Sequence, residues 1–198
     1  MIIPRSLLAM AGAPLDPGPL DRAALVVIDH QKEYTTGALP LDGVDAAAVE
    51  IGALLALARR SGVPVFHIVQ HGKPGGLFDP EGPTGGIIPG IEPLDGEATV
   101  AKRLPNAFAG TDLHERLQAT GRPELIVAGF MTHMCVSSSV RAAFDLGYRI
   151  TVVAGATATR ALPDPLGGAV PAEEVQRAAL AALADRFAVV VRDHRAWG

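Results

Sequence analysis

Leu125-Ile126-Val127-Ala128-Gly129-Phe130-Met131-Thr132-His133-Met134-Cys135-Val136 is the stretch on which the reading of this chain turns. Its first five residues form a short apolar run, the signature of a strand buried on both faces. A helical pattern begins at Val136. Cys135, the single cysteine of the chain, therefore stands where a parallel strand hands over to a helix. The free N–H groups and positive dipole end of a helix start favour a thiolate there. In open α/β sheets, ligands bind at the carboxyl ends of the strands.

Working outward, strands and helices alternate from residue 23 to the end. Ala23–Asp29 reads as the first strand, closed by a carboxylate. Asp45 is a candidate cap for a helix over Ala46–Arg60, which Gly62 ends. Val63–Gln70 is a second strand, and Thr99–Lys102 a short third one closed by an ammonium. Residues 71–98 form a long loop with seven glycines between Gly72 and Gly90, the kind of segment that usually binds or covers a ligand. Thr111 caps a helix to Thr120. Leu125–Gly129 is followed by a helix over Val136–Leu146. Arg149–Val153 is a fifth strand, and residues 155–170 are irregular. Pro171 opens the last helix, with Glu173 and Glu174 in its first turn, and Ala188–Val191 is a sixth strand. The alternation predicts a three-layer α/β/α domain with a mainly parallel, Rossmann-like sheet spanning the whole chain. Residues 1–20 lie outside it as an arm.

Composition removes several function classes. The 198 residues carry 17 basic and 21 acidic side chains, a net charge of −4. No Lys/Arg stripe forms, so neither nucleic acid nor an anionic membrane is an expected partner. No apolar run approaches the ~18 residues of a membrane span. Residues 7–13 are too short and too weakly flanked for a signal peptide. A lone cysteine has no partner for an intramolecular disulfide, which suits a reducing cytoplasm. The arm carries Ile2, Ile3, Leu7, Leu8 and Leu15, and apolar surface of this kind packs on something. A neighbouring subunit of a homo-oligomer is the expectation, folding back on its own domain the alternative.

Motifs narrow the chemistry further. The turn after the first strand reads Asp29-His30-Gln31-Lys32-Glu33-Tyr34, without the glycines a dinucleotide needs, and no phosphate-binding G-x-x-x-x-G-K-[ST] occurs. No cofactor is expected. His67 and His71 would stand ~13 Å apart on an extended strand, too far to share a metal. His67 reads as an internal, hydrogen-bonded histidine. His71, just past the strand end, is a candidate substrate contact. His133 and Ser137 occupy the places where a nucleophile elbow requires glycine. The chemistry-bearing residues at strand ends are then Asp29, Lys102 and Cys135.

Three segments carry a resemblance. Asp29-x-Gln31-x-x-Tyr34, Glu97-x-x-Val100-x-Lys102 with Asn106-Ala107-Phe108-x-Gly110-Thr111, and Gly129-x-x-Thr132-x-x-Cys135-Val136 are similar, in this order and spacing, to motifs of the isochorismatase-like cysteine hydrolase superfamily. The chain departs from that pattern at Gly155, where relatives often carry aspartate, and lacks after Gln70 the histidine cluster that holds zinc in nicotinamidases. The resemblance implies a six-stranded parallel sheet and a catalytic triad of Asp29, Lys102 and Cys135. It also implies a cis peptide between Phe130 and Met131, with the Met131 and Cys135 N–H groups as an oxyanion hole. The expected activity is metal-independent hydrolysis of a small amide through a Cys135 thioester, with Tyr34, His71 and Phe108 against the substrate. Vinyl-ether hydrolysis, which needs no thiol, and a non-catalytic binding role are the alternatives.

Overall fold

A computed structural model describes residues 4–198. Ile2 and Ile3 of the arm lie outside the described residues. Six strands build the main sheet: β1 (Ala23–Ile28), β2 (Val65–Gln70), β3 (Ala98–Lys102), β4 (Glu124–Phe130), β5 (Arg149–Ala158) and β8 (Val189–Val191). Their order is β3-β2-β1-β4-β5-β8, and every neighbouring pair is parallel. A small antiparallel pair, β6 (Leu162–Pro163) and β7 (Ala169–Val170), stands apart. The helices are α1 (Leu7–Met10), α2 (Val44–Arg60), α3 (Leu113–Ala119), α4 (Ser137–Asp145) and α5 (Ala172–Arg186).

The sheet is apolar on both faces because helices cover both. On one side Leu25, Val27, Ile126 and Ala128 meet Ile51, Leu54, Leu55 and Ala58 of α2. On the other, Val26, Ile28, Leu125 and Val127 meet Leu117 of α3, Val140 of α4 and Leu183 of α5. The alternation of odd and even residues along β1 sorts the two cores. Each fully buried Leu or Ile contributes roughly 1.5–3 kcal/mol of transfer free energy.

Several boundaries differ from the sequence reading, each for a local reason. Helix α2 starts two residues earlier than expected, because Gly43 turns the chain with φ 74° and takes the cap position from Asp45. Asp45 lies in the first turn, where its charge still meets the helix dipole. Helix α3 begins after Asp112, whose carboxylate pairs with Arg116 at 2.8 Å. Thr111 donates to the Ala107 carbonyl at 2.6 Å and only weakly accepts the Leu113 N–H at 3.4 Å. Strand β5 runs five residues past Val153, since a register shift against β4 restores pairing at Gly129 and Phe130. The described part of the arm packs back on its own domain. Leu7 N–H donates to Asp185 of α5 at 2.9 Å, Gly18 N–H to Thr151 Oγ1 at 3.2 Å, and Trp197 Nε1 to the Gly18 carbonyl at 2.7 Å.

The 71–97 segment holds no helix or strand, but it is fastened. Gln31 Nε2 donates to the Gly85 carbonyl at 2.6 Å, and Lys32 N–H to the Gly86 carbonyl at 2.9 Å. Thr84 Oγ1 donates to Glu33 at 2.6 Å, and Arg59 holds both the Glu92 carbonyl and Glu97. The segment expected to bind or cover a ligand is thus pinned to its neighbours.

Candidate active site

Because the six strands are parallel, their carboxyl ends share one edge of the sheet. Four neighbouring strands deliver one polar group each to it. Lys102 is the last residue of β3, Gln70 the last of β2, and the two are paired in register. Asp29 follows β1, and Cys135 follows β4 within a single π-helical turn, Thr132–Val136, that leads into α4.

Local backbone geometry aims these side chains. Asp29 has φ 49°, a left-handed conformation that aspartate tolerates better than most residues. Gly129 sits against β1 at φ 112°, and a Cβ there would lie 2.0 Å from the Ile28 carbonyl oxygen. Only glycine lets β4 approach β1 that closely before the chain turns to the thiol. The peptide between Phe130 and Met131 is cis. The Met131 carbonyl accepts the N–H groups of Met134 at 3.0 Å and Val136 at 3.2 Å, which winds the turn around the cysteine.

Asp29 Oδ2 lies 2.7 Å from Lys102 Nζ, and both side chains are buried, Asp29 at 0% and Lys102 at 1% exposure. The same ammonium donates to Gln70 Oε1 at 2.7 Å and to Cys135 Sγ at 3.4 Å. Lys102 thus spends its three donors on a carboxylate, an amide and the sulfur. Gln70 is fixed in turn, because Gln31 accepts its N–H at 2.8 Å and donates to its carbonyl at 3.0 Å.

Electrostatics sets the resting protonation. Burial raises the Asp29 carboxyl above its ordinary range, against the pull of Lys102. Burial, then the Asp29 carboxylate, pushes the Cys135 thiol up to about 12, with Lys102 opposing. Burial and the Asp29 carboxylate thus work against the thiolate that the helix start favours, and Lys102 works for it. Cys135 lies inside the helical winding, and the loss of water outweighs the dipole. A carboxylate, an ammonium and a thiol are electrically equivalent to a carboxylic acid, an ammonium and a thiolate. Moving one proton between Asp29 and Cys135 leaves the net charge of this dry cluster unchanged.

Above the sulfur opens a cavity of about 380 Å³, with Tyr34, Phe78, Met131, Met134, Gln70 and Cys135 in its wall. Tyr34 is held edge-on between Phe78 and Phe130, with ring centroids 5.1 and 5.7 Å away. Two expected contacts lie elsewhere. Phe108 is absent from the cavity wall and stacks on Tyr148, with ring centroids 6.3 Å apart, while the neighbouring Ala107 N–H donates to Ser139 Oγ at 2.9 Å. His71 is absent from the cavity wall, since successive residues alternate sides and Gln70 takes the inward one. His67 is internal, as read: it bonds His30 at 2.9 Å and Glu97 at 2.9 Å. Among the described residues, no three His, Cys, Asp or Glu side chains cluster as metal ligands.

Gln70, Arg103 and Arg160, all in the cavity wall, escaped the sequence reading. Gln70 ends a strand just as Lys102 does, and that was its signal. Arg160 follows the true end of β5, which ending the strand at Val153 concealed.

Comparison with known proteins matches residues 23–194 to the isochorismatase domain family. An uncharacterised isochorismatase family protein of Bacillus subtilis (strain 168), YddQ, is 40% identical over 84% of this chain and 94% of its own length. The crystal structure of an isochorismatase from Pseudomonas putida KT2440 superposes with a TM-score of 0.92 at 47% identity, over 96% of this chain and 97% of that one. A maleamate amidohydrolase of Pseudomonas putida is 32% identical over 67% of this chain and 70% of its own.

Proposed function

The chain belongs to the isochorismatase family of hydrolases, and within it we propose a metal-independent cysteine amidohydrolase of small amides. The observation that carries this reading is the buried Asp29–Lys102 pair at 2.7 Å with the Cys135 sulfur 3.4 Å from the same ammonium, at the floor of a cavity. A maleamate amidohydrolase among the relatives supports the choice of amides.

In this reading the substrate carbonyl sits over Cys135. Asp29 takes the thiol proton as sulfur attacks, so that charge moves without leaving the triad. The Met131 and Cys135 N–H groups receive the developing oxyanion. Asp29 then gives its proton to the departing amine, and the C–N bond breaks to leave a thioester. A water loses a proton to Asp29 and attacks that thioester. The C–S bond breaks, the proton returns to sulfur, and the acid leaves. Lys102 holds Asp29 in place and compensates whichever partner is anionic, and Tyr34 walls the pocket. The lone cysteine supports a cytoplasmic setting.

Ammonia release across a panel of small primary amides tests the reading. Turnover by the wild type, its loss in Cys135→Ala, and activity undiminished by exhaustive chelation are the expected results. Full activity in Cys135→Ala, or loss on chelation restored by Zn²⁺, contradicts it.

A further inference from the structure

Two guanidinium groups, Arg103 and Arg160, reach the wall of the Cys135 cavity, and no Asp or Glu lines it. Neither arginine takes part in an ion pair among the described residues. Arg160 is half-buried, and its Nε is shut off from water with no hydrogen-bond partner. Its Nη1 donates only to the adjacent Ala161 carbonyl, at 3.1 Å. The contrast with Arg59 is direct, since that guanidinium has both Glu97 oxygens at 2.8 and 2.9 Å. A buried donor without an acceptor is costly, and a charged one more so.

The segment bearing Arg160 is held from two sides. Thr132 Oγ1, in the nucleophile turn, donates to the Ala158 carbonyl at 3.1 Å. His133 Nδ1 and Thr159 Oγ1 lie 2.6 Å apart, and the Thr159 carbonyl accepts the Asp42 N–H at 2.9 Å. The backbone that leads into Arg160 is thus tied to the turn that positions the sulfur. Arg103, exposed beside Lys102, stands at the mouth. Leu39, Leu77, Phe78 and Met131 supply apolar wall of the same cavity.

We infer that the substrate amide carries a carboxylate, drawn in by Arg103 and received by Arg160, on a short apolar chain that spans the distance to the carbonyl attacked by Cys135. A cavity of about 380 Å³ is near the small end for ligand sites and suits a half-amide of a short dicarboxylic acid. A guanidinium matches the planar, two-oxygen face of a carboxylate. The word amide rests on the function proposed above, whereas the anion site rests on the arginines alone.

The test has two arms. In the first, kcat/KM for ammonia release is compared between the half-amides of malonic, succinic and glutaric acids and the neutral amides of matching length. The wild type is expected to prefer at least one half-amide. Arg160→Gln is expected to reduce that preference about ten- to hundredfold, and Arg160→Lys to reduce it less. The second arm needs no turnover. Succinate or glutarate is expected to slow iodoacetamide alkylation of Cys135, the sole cysteine, at mildly alkaline pH. The corresponding diamides are expected to protect poorly, and Arg160→Gln to abolish the difference. Turnover of neutral amides with no anion preference and no selective protection overturns the inference while leaving the amidase. Selective protection by dicarboxylates without turnover of any amide keeps the anion site and overturns the amidase.

Discussion

At the scale of single residues, the triad is a problem of proton placement inside a dry pocket. Lys102 contacts Asp29, Gln70 and Cys135 at once, so a change in any member alters the surroundings of the others. Asp29→Asn and Lys102→Ala are each expected to lower kcat by at least ~10²-fold, the usual range for a general acid/base or a charge stabiliser. Added to Cys135→Ala, neither should cost much more, because the three act as a unit. Urea unfolding separates this loss from instability, since Asp29→Asn leaves Lys102 buried without its counter-ion. The thiol pushed up to about 12 has its own consequence. Iodoacetamide should label Cys135 more slowly than free cysteine at neutral pH, with the rate still rising above pH 9. A rate already at its plateau by pH 7 would show a resting thiolate and contradict the raised thiol, leaving the proton on Asp29 from the start.

At the scale of elements, strand ends and the loop beside them carry the site. Glu97 connects three pieces: it pairs with Arg59 of α2 at 2.8 Å, accepts the Leu94 N–H at 2.8 Å, and meets His67 of β2 at 2.9 Å. Burial raises its pKa, but Arg59, the Leu94 N–H and His67 overcome that and bring it down to about 2. A depressed carboxylate stabilises the fold fully above its unfolded value of 4.5, and that contribution is lost as pH falls toward about 2. Glu97→Gln is expected to be less stable than the wild type at neutral pH, the gap closing across that window. Urea denaturation at a series of pH values checks it, and a gap that widened on acidification would contradict the assignment. The strands were legible because both faces of a parallel sheet select unbroken apolar runs, as at Ala23–Ile28. The β5 extension was not, because its pairing resumes only after a register shift that no periodicity marks. Hence Asp29, Lys102 and Cys135 could be read from strand ends, and Arg160 could not. Phe108 and His71 were misplaced for another reason: the direction of a side chain after a turn depends on contacts such as Ser139 with Ala107, which are distant in sequence.

At the scale of the molecule, one sheet with helices on both faces presents a single functional edge, and the arm completes the opposite region. The described part of the arm makes intramolecular hydrogen bonds with Asp185, Thr151 and Trp197, while Leu7 and Leu15 stay about half exposed, at 48% and 53%. Removing residues 1–20 is expected to cost about 2 kcal/mol or more in urea unfolding, from these lost hydrogen bonds and newly exposed apolar surface. We still propose a homo-oligomer, on the general prevalence of symmetric assemblies. Light scattering should give a dimer or larger species for the full chain, and the truncated chain should keep that state. A monomer at micromolar concentration contradicts the assembly. The central claim is that Cys135 bonds covalently to the acyl group of an amide. Intact-protein mass spectrometry of acid-quenched reactions with the small-amide panel tests it most directly. The expected result is a transient adduct of acyl mass on the wild type, localised to Cys135 and absent from Cys135→Ala; steady turnover by Cys135→Ala at the wild-type rate would contradict it.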